Sequence, residues 1–502
     1  MSGRFARNSA YGTLAGLGTA LGSFLSMVIV ARMLGPAGTG TVAYALWIVT
    51  LAATFADIGL TQTLARYVPE LTAAGDGDAA AAMAATLLRI GALAAIFGSA
   101  AFVLGGFAAV REGAILQGSD WWWVGLLFLL QFASALGLAT LRGFQRFDIA
   151  AKLTLGSLAL QLTAVTIGGL LHGVPGILAG YCAGSLLPIG AALIHAAGRP
   201  RIAADLRRRI LRFAVYSWAG ALTLSLVWSR VEIYFLERYW GGEAVALFTI
   251  GFTFSNLASQ GPLLLTGGLL PYFAASRGRS GIGQMHEVYA TATRVMAFLL
   301  FPACFGLAAI LPALLPLVYG PSFAEAVPVG CILVAGAAIG ASGAVGSHLI
   351  YAHERSDFIF LSGAVGAALT LAAGFLVTPV FGMIGAALAR VAIHAFMVAY
   401  GTWFVSRRLN CPTPLASLAK LLLAATLASL VAFAIVRTVH APLVALPLAI
   451  AAAAIVYAAS VRTLQALPAQ DVVRLRTLAG RLPRPARGPI DGLLALLAPR
   501  TA

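Results

Sequence analysis

The chain has 502 residues, of which 60% are hydrophobic and only 10% charged, and its mean hydropathy is +0.92. A soluble protein carries about 25% charged residues, so a globular surface of this size in water is excluded and a polytopic membrane protein is implied. The net charge of +16 is read as basic loops beside a membrane, not as a nucleic-acid surface.

A helix needs ~20 mostly apolar residues to cross a bilayer. The long continuous Leu-, Ala- and Gly-rich runs favour helices over the short alternating segments of a barrel. Fourteen spans are predicted, at 9–31, 40–60, 83–107, 121–141, 150–171, 174–196, 212–236, 244–268, 290–312, 325–350, 358–378, 381–404, 415–436 and 442–461. Counts of twelve or thirteen are the alternatives. Arg4 and Arg7 precede the first run, which is too long for a signal peptide and is expected to be a retained helix.

The first connection holds Arg32–Met33–Leu34–Gly35–Pro36 and Gly40, and the second span carries Asp57, one of few carboxylates at membrane depth. Thr50, Thr54, Asp57 and Thr61 fall at i, i+4, i+7 and i+11, on one helix face. Arg66–Tyr67 follow. The fourth span opens on Trp121–Trp123, as an interfacial aromatic belt does. An Arg-rich linker at 197–212 leads to span seven, which carries Ser225, Ser229 and Glu232 with Arg230 beside them. Span eight presents Thr249, Thr253, Asn256 and Gln260 on one face, and span twelve carries Arg390 with His394 one turn on. No acid in span twelve neutralises Arg390, so an anionic ligand or a water-filled cavity is expected there. Arg230 is read either as a partner of Glu232 or Asp57 or as a ligand-binding cation. His195 and His348 are read as structural. The tail is Arg- and Pro-rich, and Asp471–Leu482 is expected to form a short amphipathic helix that anchors to anionic lipid or binds a partner.

With the N-terminus in the cytoplasm, 27 of the 33 Lys and Arg fall in cytoplasmic segments and four in outer ones. That bias implies N-in, C-in and an even span number. Cys182, Cys304, Cys331 and Cys411 have no CxxC spacing and are read as packing residues, with no disulfide or zinc site. There is no H-E-x-x-H, Walker A or credible G-x-S-x-G motif, so neither an enzyme nor an ATPase is expected, and no cofactor.

The opening stretch returns 206 positions later: Arg32 matches Arg238, Gly35 matches Gly241, Leu64 matches Leu270, and Arg66–Tyr67 falls on Tyr272–Phe273. At an offset of 209, Arg146 and Asp148 match Arg355 and Asp357, and Gly173 and Gly176 match Gly382 and Gly385. Six spans per copy is even, so the copies enter the membrane in the same direction. The expected organisation is an N-terminal lobe at 1–205, a C-terminal lobe at 206–410, two added helices at 411–463 and a basic cytoplasmic tail at 464–502. Thr50 maps onto Asn256 and Thr54 onto Gln260, so the two copies present matched polar stripes. These line a cavity, or else bond helices together within each bundle.

Arg32, Leu34–Gly35–Pro36, Gly40, Asp57–Gly59–Leu60 and Arg66–Tyr67 resemble the polysaccharide biosynthesis family of lipid-linked oligosaccharide flippases, within the multidrug/oligosaccharidyl-lipid/polysaccharide exporter superfamily. Arg230–x–Glu232 and Leu317–Gly320 followed by Phe323 fit the same pattern. The resemblance covers about 10–410 of the chain. It implies an all-α, V-shaped, two-lobed bundle of two parallel six-helix repeats plus two extra C-terminal helices. It implies alternating-access transport of an undecaprenyl-diphosphate-linked oligosaccharide, from the inner to the outer leaflet of a bacterial cytoplasmic membrane, for surface polysaccharide synthesis. Membrane lipids, and polymerase or export machinery, are the implied partners. Arg230 and Arg390 would then meet the diphosphate. Thr50, Thr54, Asn256 and Gln260 would meet sugar hydroxyls, Asp57 and Glu232 would line the route, and Arg32 and Arg66 would mark its ends. The alternatives are a cation-coupled multidrug exporter, a peptidoglycan-precursor flippase and a membrane-embedded glycan polymerase. A cation exporter would need more acids at mid-membrane. A precursor flippase would be expected to have arginines in the first span, which has none after Arg7. A polymerase would need a large outer loop.

Overall fold

The computed structural model describes residues 2–108, 114–199, 204–264, 266, 269, 273, 282–468 and 470–471. Arg111, Leu270, Tyr272, Arg277, Arg279 and the tail helix beyond Asp471 lie outside the described residues.

Among the described residues there are fifteen α-helices and no strand. In chain order they are α1 Ser2–Ala56, α2 Leu60–Ala73, α3 Gly77–Ala108, α4 Asp120–Gly143, α5 Phe147–Gly184, α6 Leu186–Ala196, α7 Ala204–Trp228 and α8 Glu232–Leu264. They continue as α9 Ile282–Tyr319, α10 Ala326–Ser342, α11 Ala344–Ala352, α12 Ser356–Leu376, α13 Thr378–Arg408, α14 Leu415–Thr438 and α15 Pro442–Thr463. This is an all-α membrane protein. Hydrocarbon offers backbone groups no hydrogen-bonding partner, and the helix pairs them within one segment.

Eleven described helices are long and apolar enough to cross a membrane. The difference from fourteen spans is largely one of merging. α1 has 55 residues, about 80 Å at 1.5 Å per residue, so it holds spans one and two. Gly35 breaks it at φ 65° and ψ −171°, just before Pro36. α5 likewise breaks at Gly173, with φ 60° and ψ −130°. Its two legs fold back on each other. A methyl group at Gly176 would overlap Gly168, one at Gly180 would overlap Val165, and one at Gly184 would overlap Gln161. The first leg of α1 runs parallel to the first leg of α5, with Gly18 on Leu155, Gly22 on Leu158 and Met33 on Gly169.

The repeat read from the sequence reappears in backbone torsions. Gly241 breaks α8 at φ 80° and ψ −173°, the counterpart of Gly35. Gly382 breaks α13 at φ 56° and ψ −145°, the counterpart of Gly173. Gln145 and Glu354, also 209 apart, are both left-handed, at φ 57° and 59°. Each precedes an Arg–x–Asp ion pair, Arg146–Asp148 at 3.7 Å and Arg355–Asp357 at 2.9 Å. Such torsions cost about 1–3 kcal/mol for a residue with a side chain, so glycine at all four breaks follows from the turns.

The chain forms two compact units, one of 1–249 with 370–383 and the other of 250–369 with 384–502. In the first, α1 lies on α5, and α3, α4 and α6 pack with α2 around Tyr67, Leu64 and Phe132. Trp240 donates its indole N–H to the Thr378 carbonyl at 2.9 Å, and Phe235 meets Phe375 edge-on at 4.9 Å. These contacts hold Thr370–Met383 within this unit.

In the second unit, α9 packs on α10, α14 and α15. All four cysteines are free, and burial pushes the Cys411 thiol, in the connection between α13 and α14, up to about 11. The Arg294 Nε donates to Asp471 at 2.6 Å, Thr291 donates to the same carboxylate at 3.1 Å, and Asp471 is only 1% exposed. This buried ion pair pins the start of the tail to α9. Removing one partner of such a pair costs about 3–5 kcal/mol. Asp471→Ala is therefore expected to lower the melting temperature of the purified protein by several degrees, and Arg146→Ala, at an exposed pair, to leave it nearly unchanged.

Candidate functional site

Several candidate residues of the first unit lie at or near two helix breaks. Thr50 is exposed and Thr54 half-buried. Each donates its hydroxyl to the carbonyl four residues back, Leu46 at 2.8 Å and Thr50 at 3.1 Å. Their lone pairs remain as acceptors on that face. The helix does not continue through Asp57. α1 ends at Ala56, Ile58 and Gly59 turn through φ 43° and 77°, and α2 begins at Leu60. Asp57 accepts the Thr61 amide at 3.1 Å and the Thr61 hydroxyl at 3.0 Å. It thus satisfies one of the orphan donors at a helix start. The four-residue stripe read from the sequence is corrected on this point: it stops at Asp57, and Thr61 belongs to the next helix.

Gly59 has a further reason for being glycine, because a methyl group there would overlap the Ala214 carbonyl. Trp218, one turn along α7, donates its indole N–H to the Thr54 and Phe55 carbonyls at 3.1 and 3.2 Å. These are last-turn carbonyls without helical partners. The Asp–x–Gly–Leu signature is therefore a break-and-cap device that seats α1 on α7.

The second break lies at Ser229–Val231, between α7 and α8, where the sequence pattern predicts one continuous span. Glu232 is 6% exposed and opens α8, where the helix dipole favours a carboxylate. Arg230, half-buried, lies within electrostatic reach of the Tyr181 hydroxyl. Tyr181 reaches Ser26, which accepts from the Gln161 side-chain amide at 2.9 Å. Tyr181, Ser26, Gln161 and Trp218 were not singled out from the sequence, although Gln161 is an amide inside an apolar span. Arg32 is exposed three residues before the Gly35 break. Arg66 is exposed on α2, with its guanidinium 4.4 Å from the Phe213 ring centre and 5.4 Å from that of Tyr67.

In the second unit Arg390 is 7% exposed and lies 4.9 Å from the ring centre of Phe252 on α8. His394, 8% exposed, follows one turn on. Asn256 and Gln260 are exposed on α8, one and two turns beyond Phe252. The structure thus brings Arg390 to the Phe252 ring of α8. At the 209-residue offset Arg390 is the counterpart of Tyr181, so both repeats place a buried polar group at the same position. An apolar cavity of about 500 Å³ lies between α9, α14 and α15, lined by Phe298, Pro302, Gly306, Ala428, Ala449 and Tyr457 among others. Among the described residues no cluster of His, Cys, Asp and Glu is placed to hold a metal.

Residues 29–328 match a family described as polysaccharide biosynthesis protein. No curated protein is significantly similar in sequence. The fold is that of solved transporters of the MOP superfamily. The lipid II flippase MurJ, in an inward closed conformation, is 14% identical with a TM-score of 0.71, covering 90% of this chain and 99% of its own. An inward-facing multidrug resistance MATE family transporter is 14% identical with a TM-score of 0.66, covering 78% and 94%. A MOP superfamily transporter from Pyrococcus furiosus, described as having a binding pocket of reverse polarity, is 14% identical with a TM-score of 0.57, covering 81% and 95%.

Gly59→Ala places a side chain at φ 77° against a carbonyl. It is expected to cost at least about 1–3 kcal/mol, read as a clear drop in melting temperature. Gly12→Ala, inside α1 with open space around it, is the matched control and is expected to melt no lower than wild type.

Proposed function

The chain belongs to the polysaccharide biosynthesis protein family, and from that premise we propose that it is a flippase for an undecaprenyl-diphosphate-linked oligosaccharide, moving it from the inner to the outer leaflet of a bacterial cytoplasmic membrane. Both termini would be cytoplasmic and access to the substrate would alternate.

The observation that carries this reading is Arg390. It is a guanidinium held at 7% exposure within a membrane-spanning helix, against Phe252, which lies one turn before Asn256 on α8. Arginine keeps its charge when buried and presents a fork of donors that matches phosphate oxygens. Asn256 and Gln260 supply amides of the kind that meet sugar hydroxyls, as Thr50 and Thr54 supply hydroxyls. Arg230 would be a second cation along the route. Glu232 and Asp57 would position neighbouring backbone more than touch cargo. The apolar cavity beside α14 and α15 suits a segment of the prenyl tail.

A cation-coupled exporter is disfavoured by the same residues. Neither α13 nor α8 after Glu243 contains an acid, so these two helices offer a cation no counter-charge. A peptidoglycan-precursor flippase shares the need for a diphosphate site and is disfavoured by the absence of arginine in the first span after Arg7.

The test is deletion of the protein with leaflet-resolved labelling of lipid-linked glycan. Inner-leaflet accumulation and loss of surface polymer are expected, and normal delivery would refute the proposal. Arg390→Gln removes charged hydrogen bonds each worth about 1.5–3 kcal/mol. It is expected to slow transport by roughly tenfold or more at normal protein level, with Arg390→Lys intermediate. Full activity of Arg390→Gln would remove this residue from the site.

A further inference from the structure

The first unit carries a second basic cluster, at the end that the charge bias assigns to the cytoplasm. It is built on α2 and the first three turns of α7. Within Leu60–Ala73 and Ala204–Phe213 there are five arginines, Arg66, Arg207, Arg208, Arg209 and Arg212, against two carboxylates, Asp205 and Glu70. All five arginines are exposed. Glu70 is taken up by Arg209, at 2.9 Å. Arg66 makes no ion pair among the described residues. Its guanidinium lies over Phe213, the residue after Arg212, at 4.4 Å from the ring centre. Stacking holds the flat cation in place while leaving its in-plane N–H groups available to an anion.

The same segment of α7 has an unusual outer face. Arg208, Leu211, Arg212, Val215 and Tyr216 fall at i, i+3, i+4, i+7 and i+8, one side of a helix. Leu211 is 62% exposed, Val215 43% and Tyr216 74%, while Ile210 and Ala214 on the other side are buried. Arginines interleaved with exposed apolar side chains suit the boundary between headgroups and acyl chains, where the charge meets phosphate and the apolar groups meet the chains. A soluble anion would use the arginines and leave Leu211 and Tyr216 in water. Cargo held only in transit would not need a permanently lipid-facing apolar stripe.

We propose that Arg66, Arg208 and Arg212 form a binding site for the phosphate headgroup of an anionic phospholipid of the surrounding bilayer, with Leu211, Val215 and Tyr216 against its chains. The bound lipid lies on the outer face of α7, its headgroup shared between Arg208 and Arg212 of α7 and Arg66 of α2, beside the seam closed by Arg209–Glu70, Gly59 on Ala214 and the Trp218 hydrogen bonds. It therefore braces the contact between these helices, and it does so whatever the cargo.

The test is native mass spectrometry of the full-length protein in detergent, incubated with phosphatidylglycerol or with phosphatidylcholine of the same chains. The wild type is expected to retain phosphatidylglycerol roughly tenfold better. Arg208→Gln with Arg212→Gln, two exposed positions whose loss leaves the seam contacts in place, is expected to lose at least about fivefold of that preference. Arg66→Gln is expected to act in the same direction. Arg146→Gln, an exposed arginine paired with Asp148, is expected to change nothing. Equal retention of the two lipids, or an unchanged preference in the double variant, would overturn the site. Inorganic pyrophosphate alone, added with phosphatidylcholine, is expected not to be retained, and its tight retention would reassign the cluster to a free anion.

Discussion

In hydrocarbon a backbone amide or carbonyl without a partner costs several kcal/mol. This constraint makes every element a helix and turns each interruption into a problem with few solutions. Two are used here. One is a glycine break, at Gly35, Gly173, Gly241 and Gly382, where the helix is interrupted with almost no loop. The other is a capped break, where Asp57 satisfies the start of α2 and Trp218 satisfies the end of α1. Pairing glycine torsions at offsets of 206 and 209 means that the second half reuses the local solutions of the first.

The same constraint sorts the arginines. Arg390 is buried on a transmembrane helix and contacts a ring of α8. Arg66, in the middle of α2, and Arg212, in the third turn of α7, are exposed beside Phe213. A cation at the membrane end needs only headgroups and water, and placing it there is inexpensive. A cation at depth needs a favourable partner, and the face of the Phe252 ring on α8 is one that the fold sets beside Arg390. In the functions proposed above, one residue type would serve a lipid brace at the surface and a diphosphate contact inside, distinguished by depth.

Much of this was legible in the sequence. Apolar runs mark the helices, because length and composition alone decide membrane crossing. The repeat was legible because turn glycines cannot be replaced without strain. The stripe on span eight was legible because helical spacing places Thr253, Asn256 and Gln260 on one side. The end of the stripe at Asp57 was not, since a helix pattern continues smoothly to Thr61 and only the torsions of Ile58 and Gly59 reveal the break. The break at Ser229–Val231 was hidden in the same way, inside an unbroken apolar pattern. The Ser26–Gln161 bond, the Trp218 cap and the Arg294–Asp471 pin join residues 135 to 177 positions apart. Such pairings depend on tertiary packing, which periodicity does not encode.

Transport of a lipid-linked glycan by this chain alone is the central proposal. Purified protein in liposomes, loaded with a fluorescent polyprenyl-diphosphate oligosaccharide in both leaflets, tests it most directly. A membrane-impermeant glycan-cleaving enzyme outside then reports the accessible fraction. Protein-containing liposomes are expected to expose nearly all of the glycolipid, while empty ones expose only the outer half. Glycolipid that stays half-protected, in liposomes where the same protein exchanges a cationic dye for protons, would contradict the proposal.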